Sequence, residues 1–342
     1  MGSRWHEPSP PNDSIGQFAN TVVAIGVPTI FAGREFSGDD LREYVSRAED
    51  GGASAIVAGD HMNWYNPTLE CLTTLGFVAS LTTLPLASHV IVAPLRQPFL
   101  LAKQAATLAT LAPGGFTLGI GVGGEHENEF TAAGVSTSER GARTDEILEI
   151  IAGLKDGQVD HVGDYYQVES AKLDPLPPFG LLIGGRSEKA LRRTVKYGDA
   201  WSGAWVTANR LGRSITRLTE LSNELGRKDP PSVLVHVRIT MGKDEVSAWT
   251  DASKFLTDHY NADPVPMRPY TLCGNADDVI KGLLEFKRAG ATELIVTFAG
   301  ADQGKQLDMF CSDVLEAEEA LRGEWPMSVG SSSGSVLAGD RQ

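Results

Sequence analysis

Cysteine is scarce in this sequence: the 342 residues contain only Cys71, Cys273 and Cys311. The three are widely spaced and include no Cys-x-x-Cys pair. This pattern argues against a disulfide framework and against a cysteine-based zinc site. We interpret the three as buried thiols in a reducing compartment, and therefore predict a cytoplasmic protein.

Positive charge and long apolar runs are also in short supply. The chain has 30 Lys and Arg against 44 Asp and Glu, which gives a net charge of -14. Duplex nucleic acids and anionic membranes are bound through clustered cations, so neither is an expected partner. No stretch of eighteen apolar residues suggests a membrane span, and residues 1–20 lack the apolar segment of a secretory signal.

Several catalytic signatures are missing. The 7 histidines are scattered without metal-ligand spacing, so no metal site is predicted. The glycines match neither a Walker loop nor a Rossmann fingerprint, and no Gly-x-Ser-x-Gly elbow is present. The sequence therefore gives no support for P-loop nucleotide hydrolysis or for serine-based acyl transfer.

Short apolar runs rich in β-branched residues alternate with amphipathic helical stretches along most of the chain. This pattern predicts an α/β fold, a (β/α)8 TIM barrel, with insertions after strands 4 and 7. We assign one domain to residues 21–322, an N-terminal extension to 1–20 and a flexible Ser/Gly-rich tail to 323–342. The eight predicted strands are Thr21–Val27, Ser54–Ala58, Ser88–Ala93, Phe116–Gly121, Leu181–Ile183, Ala200–Ser202, Val233–Thr240 and Glu293–Phe298.

Two polar clusters directly follow predicted strands. One is the segment Gly119-Ile-Gly-Val-Gly-Gly-Glu125-His-Glu-Asn128, and the other is Asp60-His61-Met-Asn-Trp64. Loops after barrel strands share one face, so we expect the clusters to meet at a site where glycines admit a flat ligand. The alternatives are a Gly-rich turn for the first cluster and a structural Asp-His pair for the second.

A third strand end, Ile183-Gly184-Gly185-Arg186-Ser187, runs into a predicted helix. Free N–H groups at such a helix start favour a phosphate, and Arg186 would add charge-assisted hydrogen bonds. An ordinary βα junction with a Ser cap is the alternative. We also predict a strained or cis peptide bond beside the ligand, in the segment Pro94-Leu-Arg96-Gln-Pro98.

These segments together resemble the bacterial luciferase-like flavin and deazaflavin oxidoreductases, which are (β/α)8 barrels. Asp60-His61 and Gly124-Glu125-His-Glu-Asn128 are most similar to the branch that uses coenzyme F420. The resemblance implies that His61 and Glu125 are the catalytic proton donors or acceptors. It also implies a deazaflavin contacted by Asp60, Val92, Gly123, Gly124 and Asn128, with its phosphate held by Gly184, Gly185, Arg186 and Ser187.

The resemblance also bears on the substrate. The family's sugar-phosphate dehydrogenases hold the substrate phosphate with a Thr and a Lys, where Ala204 and Thr207 stand here. We therefore expect the substrate to be a small organic molecule other than glucose 6-phosphate. We expect its site to be lined by Trp64, Trp201 and Trp205. The alternatives are an FMN-dependent monooxygenase and a non-catalytic cofactor-binding protein. A homodimer is common among relatives.

Overall fold

A closed ring of parallel strands organises the chain, as the sequence predicts. The computed structural model describes residues 22–31, 35–174 and 179–315. Within these ranges the barrel closes where β9 pairs with β10 in parallel. The strands are β1 Val22–Val27, β2 Ala55–Ala58, β3 Leu86–Ser88, β4 Ile91–Val92, β5 Phe116–Gly121, β6 Val159–Val162, β7 Gln167–Ala171, β8 Gly180–Gly184, β9 Ala200–Gly203, β10 Ser232–Met241, β11 Thr271–Gly274 and β12 Glu293–Phe298.

Helices surround the barrel and cover its outward-facing side chains. In α1, Ser37 caps the start and forms a capping box with Asp40, while Leu41, Tyr44 and Val45 are buried. The helices are α1 Gly38–Asp50, α2 Cys71–Val78, α3 Pro98–Leu111, α4 Glu127–Ala132, α5 Arg140–Lys155, α6 Glu188–Tyr197, α7 Ala208–Glu224, α8 Glu245–Tyr260, α9 Ala276–Arg288 and α10 Gln303–Phe310. None of the helices in the described ranges has the length and apolar character needed to span a bilayer.

The barrel interior is layered because successive side chains of a strand point to opposite faces. One fully apolar inner layer contains Ala24, Val57, Ala87, Leu182, Ala200, Leu234 and Ile295. Two residues further along the chain, on these strands or just past their ends, a second layer lines a cavity: Gly26, Gly59, His89, Gly184, Ser202, His236 and Thr297. The change from an apolar layer to a small and polar layer therefore marks the floor of a site.

The insertions lie where they are expected. The antiparallel pair β6 and β7 follows α5 and forms the insertion after the fourth predicted strand. The proline-rich segment after α8 contains a 3-10 turn at Val265–Tyr270 and leads into β11, a strand that the sequence analysis does not predict. β11 extends the sheet by pairing with β10 beyond the barrel wall.

Two local expectations need correction. The third barrel strand, predicted as continuous, is divided into β3 and β4. In the described residues the cis peptide bond joins His89 and Val90, and not a residue to Pro94 or Pro98. The proposed extension 1–20 and tail 323–342 lie outside the described residues.

Candidate active site

A cavity of about 410 Å³ lies at the carboxyl ends of the barrel strands. Its volume is in the range of small-molecule sites, and parallel barrels place their chemistry at this end. Every barrel strand or the loop that follows it contributes to the wall, including His61, Val90, Gly123, Arg186 and Trp205. The polar segments that are distant in the sequence thus meet around one space.

Asp60 borders this cavity, but its carboxylate is already engaged. Arg96 donates two hydrogen bonds to it, at 2.7 Å to Oδ2 and 2.8 Å to Oδ1, and the Val92 N–H donates another at 2.8 Å. Arg96 also donates to Glu70 at 2.8 Å. The side chain of Asp60 therefore anchors the loop after β2, which leaves its expected cofactor contact a prediction.

The loop after β2 presents His61 to the cavity in a defined orientation. The imidazole stacks on Trp64 with ring centroids 3.7 Å apart, and its Nδ1 lies 3.3 Å from Oε2 of Glu129. The Met62 N–H donates to the same oxygen at 3.2 Å. With Nδ1 facing Glu129, Nε2 is the ring nitrogen available to a ligand.

Glu129 is a site residue that the sequence analysis missed. It lies on α4 and is 0% exposed, and within the described chain its Oε1 atom has no hydrogen-bond partner. Glu127, two residues earlier on the same short helix, is exposed. Nothing in the acid-rich pattern from 125 to 129 distinguishes the buried carboxylate from the solvated ones.

Glu125 lines the cavity at the loop before α4, and its catalytic role stays a prediction. Burial raises the pKa of Tyr260, the positive charge of Arg238 lowers it, and the negative charge of Glu125 raises it. Asn128 instead lies on the exposed face of α4 and is not part of the cavity wall. Its predicted cofactor contact has no support from this position.

The glycines of β5 and β8 make room for a side chain of the protein itself. A Cβ at Gly121 would lie 2.5 Å from Cγ2 of Val90, and one at Gly184 would lie 2.9 Å from its Cγ1. Val90, rather than the predicted Val92, lines the cavity, and Val92 packs against Gly123 below it. The glycines therefore permit this packing, in addition to any approach of a ligand.

The predicted phosphate seat begins where β8 ends. Gly185 has φ 128°, a left-handed conformation that favours glycine, and Ser187 caps α6 by accepting from the Ala190 N–H. Gly184, Gly185 and Arg186 line the cavity. Gly124, with φ 106°, packs instead against Arg140 outside the wall.

The three tryptophans assigned to the substrate have different environments. Trp205 lines the cavity, whereas Trp64 lies behind His61 and donates its Nε1–H to the His259 carbonyl at 2.8 Å. Trp201 is 0% exposed and donates to the Gly185 carbonyl at 2.7 Å. The neighbours of Trp201 along the strand point into the barrel. By alternation Trp201 points outward, into the hydrophobic core outside the ring of strands, and the structure therefore places it away from the cavity.

Two imidazoles form part of the cavity floor. His89 is hydrogen-bonded to Ser202 at 2.7 Å and His236 to Thr297 at 2.8 Å, and their ring centroids are 5.1 Å apart. Burial, with a smaller contribution from the charge of Arg238, lowers the pKa of His89 to about 4. Burial likewise holds the pKa of His236 well below its usual value. Both rings are neutral at physiological pH.

Comparison with known proteins places this barrel in a family. The sequence model described as luciferase-like monooxygenase matches residues 19–272. Over 169 residues the chain is 34% identical to an uncharacterised protein of Mycobacterium tuberculosis, a match that covers 48% of this chain and 58% of that protein. It is 28% identical over 319 residues to an F420-dependent glucose-6-phosphate dehydrogenase of Kineococcus radiotolerans, covering 82% and 93% of the two chains.

Solved structures agree on the fold. An F420-dependent secondary alcohol dehydrogenase superposes with a TM-score of 0.75 at 19% identity, over 88% of this chain and 100% of that one. The oxygenating constituent of 3,6-diketocamphane monooxygenase from Pseudomonas putida, in complex with FMN, superposes with a TM-score of 0.66 at 15% identity, over 87% and 98%. Since the family match also spans most of the barrel, the chain belongs to the luciferase-like monooxygenase family.

Proposed function

We propose that this protein is a coenzyme F420-dependent oxidoreductase that transfers a hydride between the deazaflavin and a small organic substrate other than glucose 6-phosphate. The observation that carries the proposal is the meeting of His61, oriented by buried Glu129, with Glu125 at one glycine-walled cavity. Proton-transfer groups beside a seat for a flat cofactor are what a hydride transfer to or from a polar bond needs.

The residues present fit a phosphate-bearing flavin-like cofactor. Gly121 and Gly184 admit the Val90 side chain to the cavity wall, where it offers an apolar surface to a planar ring. Arg186 supplies a cation for a phosphate, and the N-terminus of α6 supplies backbone donors. When bound, a deazaflavin supplies or accepts the hydride.

The protein's own side chains manage the accompanying proton. His61 Nε2 donates or accepts it, because Nδ1 is held by Glu129. Glu125 is the second group within the same wall that can exchange a proton. General acid–base catalysis of this kind typically contributes roughly 10²- to 10⁴-fold in rate.

The position after β9 supports the exclusion of glucose 6-phosphate. Ala204 lines the cavity and brings no donor, and the Thr207 side chain caps α7 by accepting from the Arg210 N–H. A sugar phosphate would therefore meet no ammonium at these two positions, and the Thr207 hydroxyl is held at the start of α7. Glucose-6-phosphate dehydrogenase activity is thus a property of similar proteins, and we do not propose it for this chain.

Titrating the purified protein with F420 and, separately, with FMN tests the cofactor assignment. We expect saturable binding of F420 followed by its absorbance, and turnover that is independent of oxygen. The second candidate, an FMN-dependent monooxygenase, is favoured by the FMN-bound structure with the same fold. Preference for reduced FMN with consumption of oxygen would establish that candidate instead.

Substitution of the two proton-transfer groups tests the chemistry. We expect His61→Asn and Glu125→Gln each to lower kcat by about 10²-fold or more with little change in cofactor Kd. Tight binding with unchanged function in both variants would identify a non-catalytic cofactor-binding protein. A cytoplasmic homodimer stays a prediction, which sedimentation of the purified protein and cell fractionation would test.

A further inference from the structure

Arg238 places a guanidinium in the wall of the cavity. It lies on β10 two residues beyond His236, so the strand alternation brings it one layer closer to the cavity mouth. Its Cζ lies 4.3 Å from the centroid of the Trp205 ring, and Nη2 donates to the hydroxyl of Tyr260 at 2.8 Å. Two aromatic side chains thus hold the group in place.

This guanidinium has no carboxylate partner among the described residues. Two other arginines with little exposure are paired with carboxylates: Arg96 with Asp60 at 2.7 Å and Arg193 with Asp145 at 2.6 Å. Arg238 uses one of its five N–H donors on a phenol, and a partly buried cation is costly without an anion. The unused donors border the cavity.

Arg186 and Arg238 are the two arginines of this cavity wall among the described residues; Arg186 lies at the proposed phosphate seat, and Arg238 lies among neutral imidazoles. Burial, and then the charge of Arg238, lower the pKa of His259 to about 3, and His89 and His236 are also neutral. Glu125 lines the same cavity as Arg238 and Tyr260, and no ion pair joins it to Arg238 among the described residues. An anion entering here meets a fixed positive charge flanked by rings.

We propose that Arg238 binds a carboxylate of the substrate, and that the substrate is a small organic acid with an apolar or aromatic body. The planar fork of one guanidinium matches a single carboxylate, whereas a sugar-phosphate dianion is better served by several cations. Trp205, Tyr260 and Phe255 provide the apolar contacts in the same cavity. This inference rests on the proposed function only in taking the occupant of this region as the substrate.

Benzoate and benzamide are matched probes, because they differ mainly in charge. Binding to the F420-loaded protein and to the protein without cofactor is measured by tryptophan fluorescence and by calorimetry. We expect benzoate to bind on the order of 10-fold or more tightly than benzamide, since hydrogen bonds to charged groups contribute that much. Equal affinity of the two probes for the wild-type protein would overturn the proposal.

Three variants complete the experiment. We expect Arg238→Gln to abolish the preference for benzoate, Arg238→Lys to retain part of it, and the exposed control Arg42→Gln to leave it unchanged. Retention of the full preference by Arg238→Gln, with the fold verified by circular dichroism, would also overturn the proposal. Failure of F420 to bind would refute the proposed function alone, because the titration without cofactor still tests Arg238.

Discussion

His61 and Glu129 form a pair in which the imidazole Nδ1 lies 3.3 Å from the carboxylate Oε2, although the two residues are far apart in the sequence. The Glu129 side chain is 0% exposed, and the histidine side chain is 18% exposed. A buried carboxylate that fixes one ring nitrogen determines which nitrogen is presented to a ligand. We therefore propose that Glu129 is a positioning residue that acts through His61.

Replacement of Glu129 by glutamine separates this role from simple packing. We expect kcat to fall by at least about 10-fold, with about 10⁴-fold as the upper bound set by the orienting Asp of a Ser-His-Asp triad. Cofactor Kd should change little. Nitrogen NMR of the His61 ring should show loss of a single Nδ1–H tautomer.

Glu127→Gln is the matched control, since this residue is on the same helix and exposed. It should leave both kcat and the His61 tautomer unchanged. If Glu129→Gln keeps the wild-type tautomer while losing activity, the positioning role is wrong.

The buried ion pair between Arg96 and Asp60 should dominate the local stability of the loop after β2. Their side chains are 9% and 0% exposed, and removing one partner leaves the other charge buried without compensation. We expect Arg96→Ala to lower the free energy of unfolding by about 3–5 kcal/mol. Urea denaturation followed by circular dichroism measures this change.

A surface pair provides the comparison. Arg42 lies 3.7 Å from Asp39 with side chains 56% and 93% exposed, so Arg42→Ala should cost no more than about 1 kcal/mol. Similar decreases in the free energy of unfolding for the two variants would show that burial does not determine how much the Arg96–Asp60 pair contributes to stability.

The close packing of Val90 against Gly121 predicts a rescue experiment. Gly121→Ala would place a Cβ 2.5 Å from Cγ2 of Val90, and such overpacking typically costs about 1–3 kcal/mol. Shortening Val90 to alanine removes the contact, so Gly121→Ala should cost less in a Val90→Ala background. A coupling energy of about 1 kcal/mol in the double-mutant cycle is the expected measurement.

Gly76→Ala is the control for the glycine substitution itself. Gly76 lies within α2, and a Cβ there would meet no heavy atom within 4 Å. Alanine is a better helix former, so we expect a gain of roughly 0.5–1 kcal/mol. An additive cycle for Gly121 and Val90 would contradict the packing explanation.

The barrel and the residues at its floor follow from two periodicities in the sequence. Apolar runs alternating with amphipathic helices predict all the barrel strands, and the two-residue period along each strand carries further information. Because Ala200 and Ser202 face inward, Trp201 faces outward, a conclusion that the sequence permits once the barrel is assumed. The same alternation brings His236 and Arg238 to the cavity.

Other features of the site have no local signal. Glu129 is buried because α4 packs against the loop after β2, and this tertiary contact is invisible in a run of acidic residues. The division of the third strand between β3 and β4 and the extra strand β11 also depend on contacts distant in sequence. Propensity alone does not determine such contacts.

His259 should make the protein less stable in mild acid. Burial first, and then the charges of Arg238 and His61, lower its pKa from 6.5 to about 3. Between these two values the unfolded chain binds a proton that the folded chain does not, so stability falls as the pH drops from about 6.5 toward 3. The ring stacks on Phe255 with centroids 5.2 Å apart, which helps to keep it out of water. We expect His259→Gln to reduce the slope of unfolding free energy against pH in this window by up to about 1.4 kcal/mol per pH unit.

Urea denaturation at a series of pH values measures the slopes of the wild-type protein and of the variant. The comparison at pH 8 isolates any loss of packing, because the imidazole is then neutral in both the folded and the unfolded state. Parallel curves for the two proteins between pH 6 and 4 would show that His259 is protonated equally in the folded and unfolded chains.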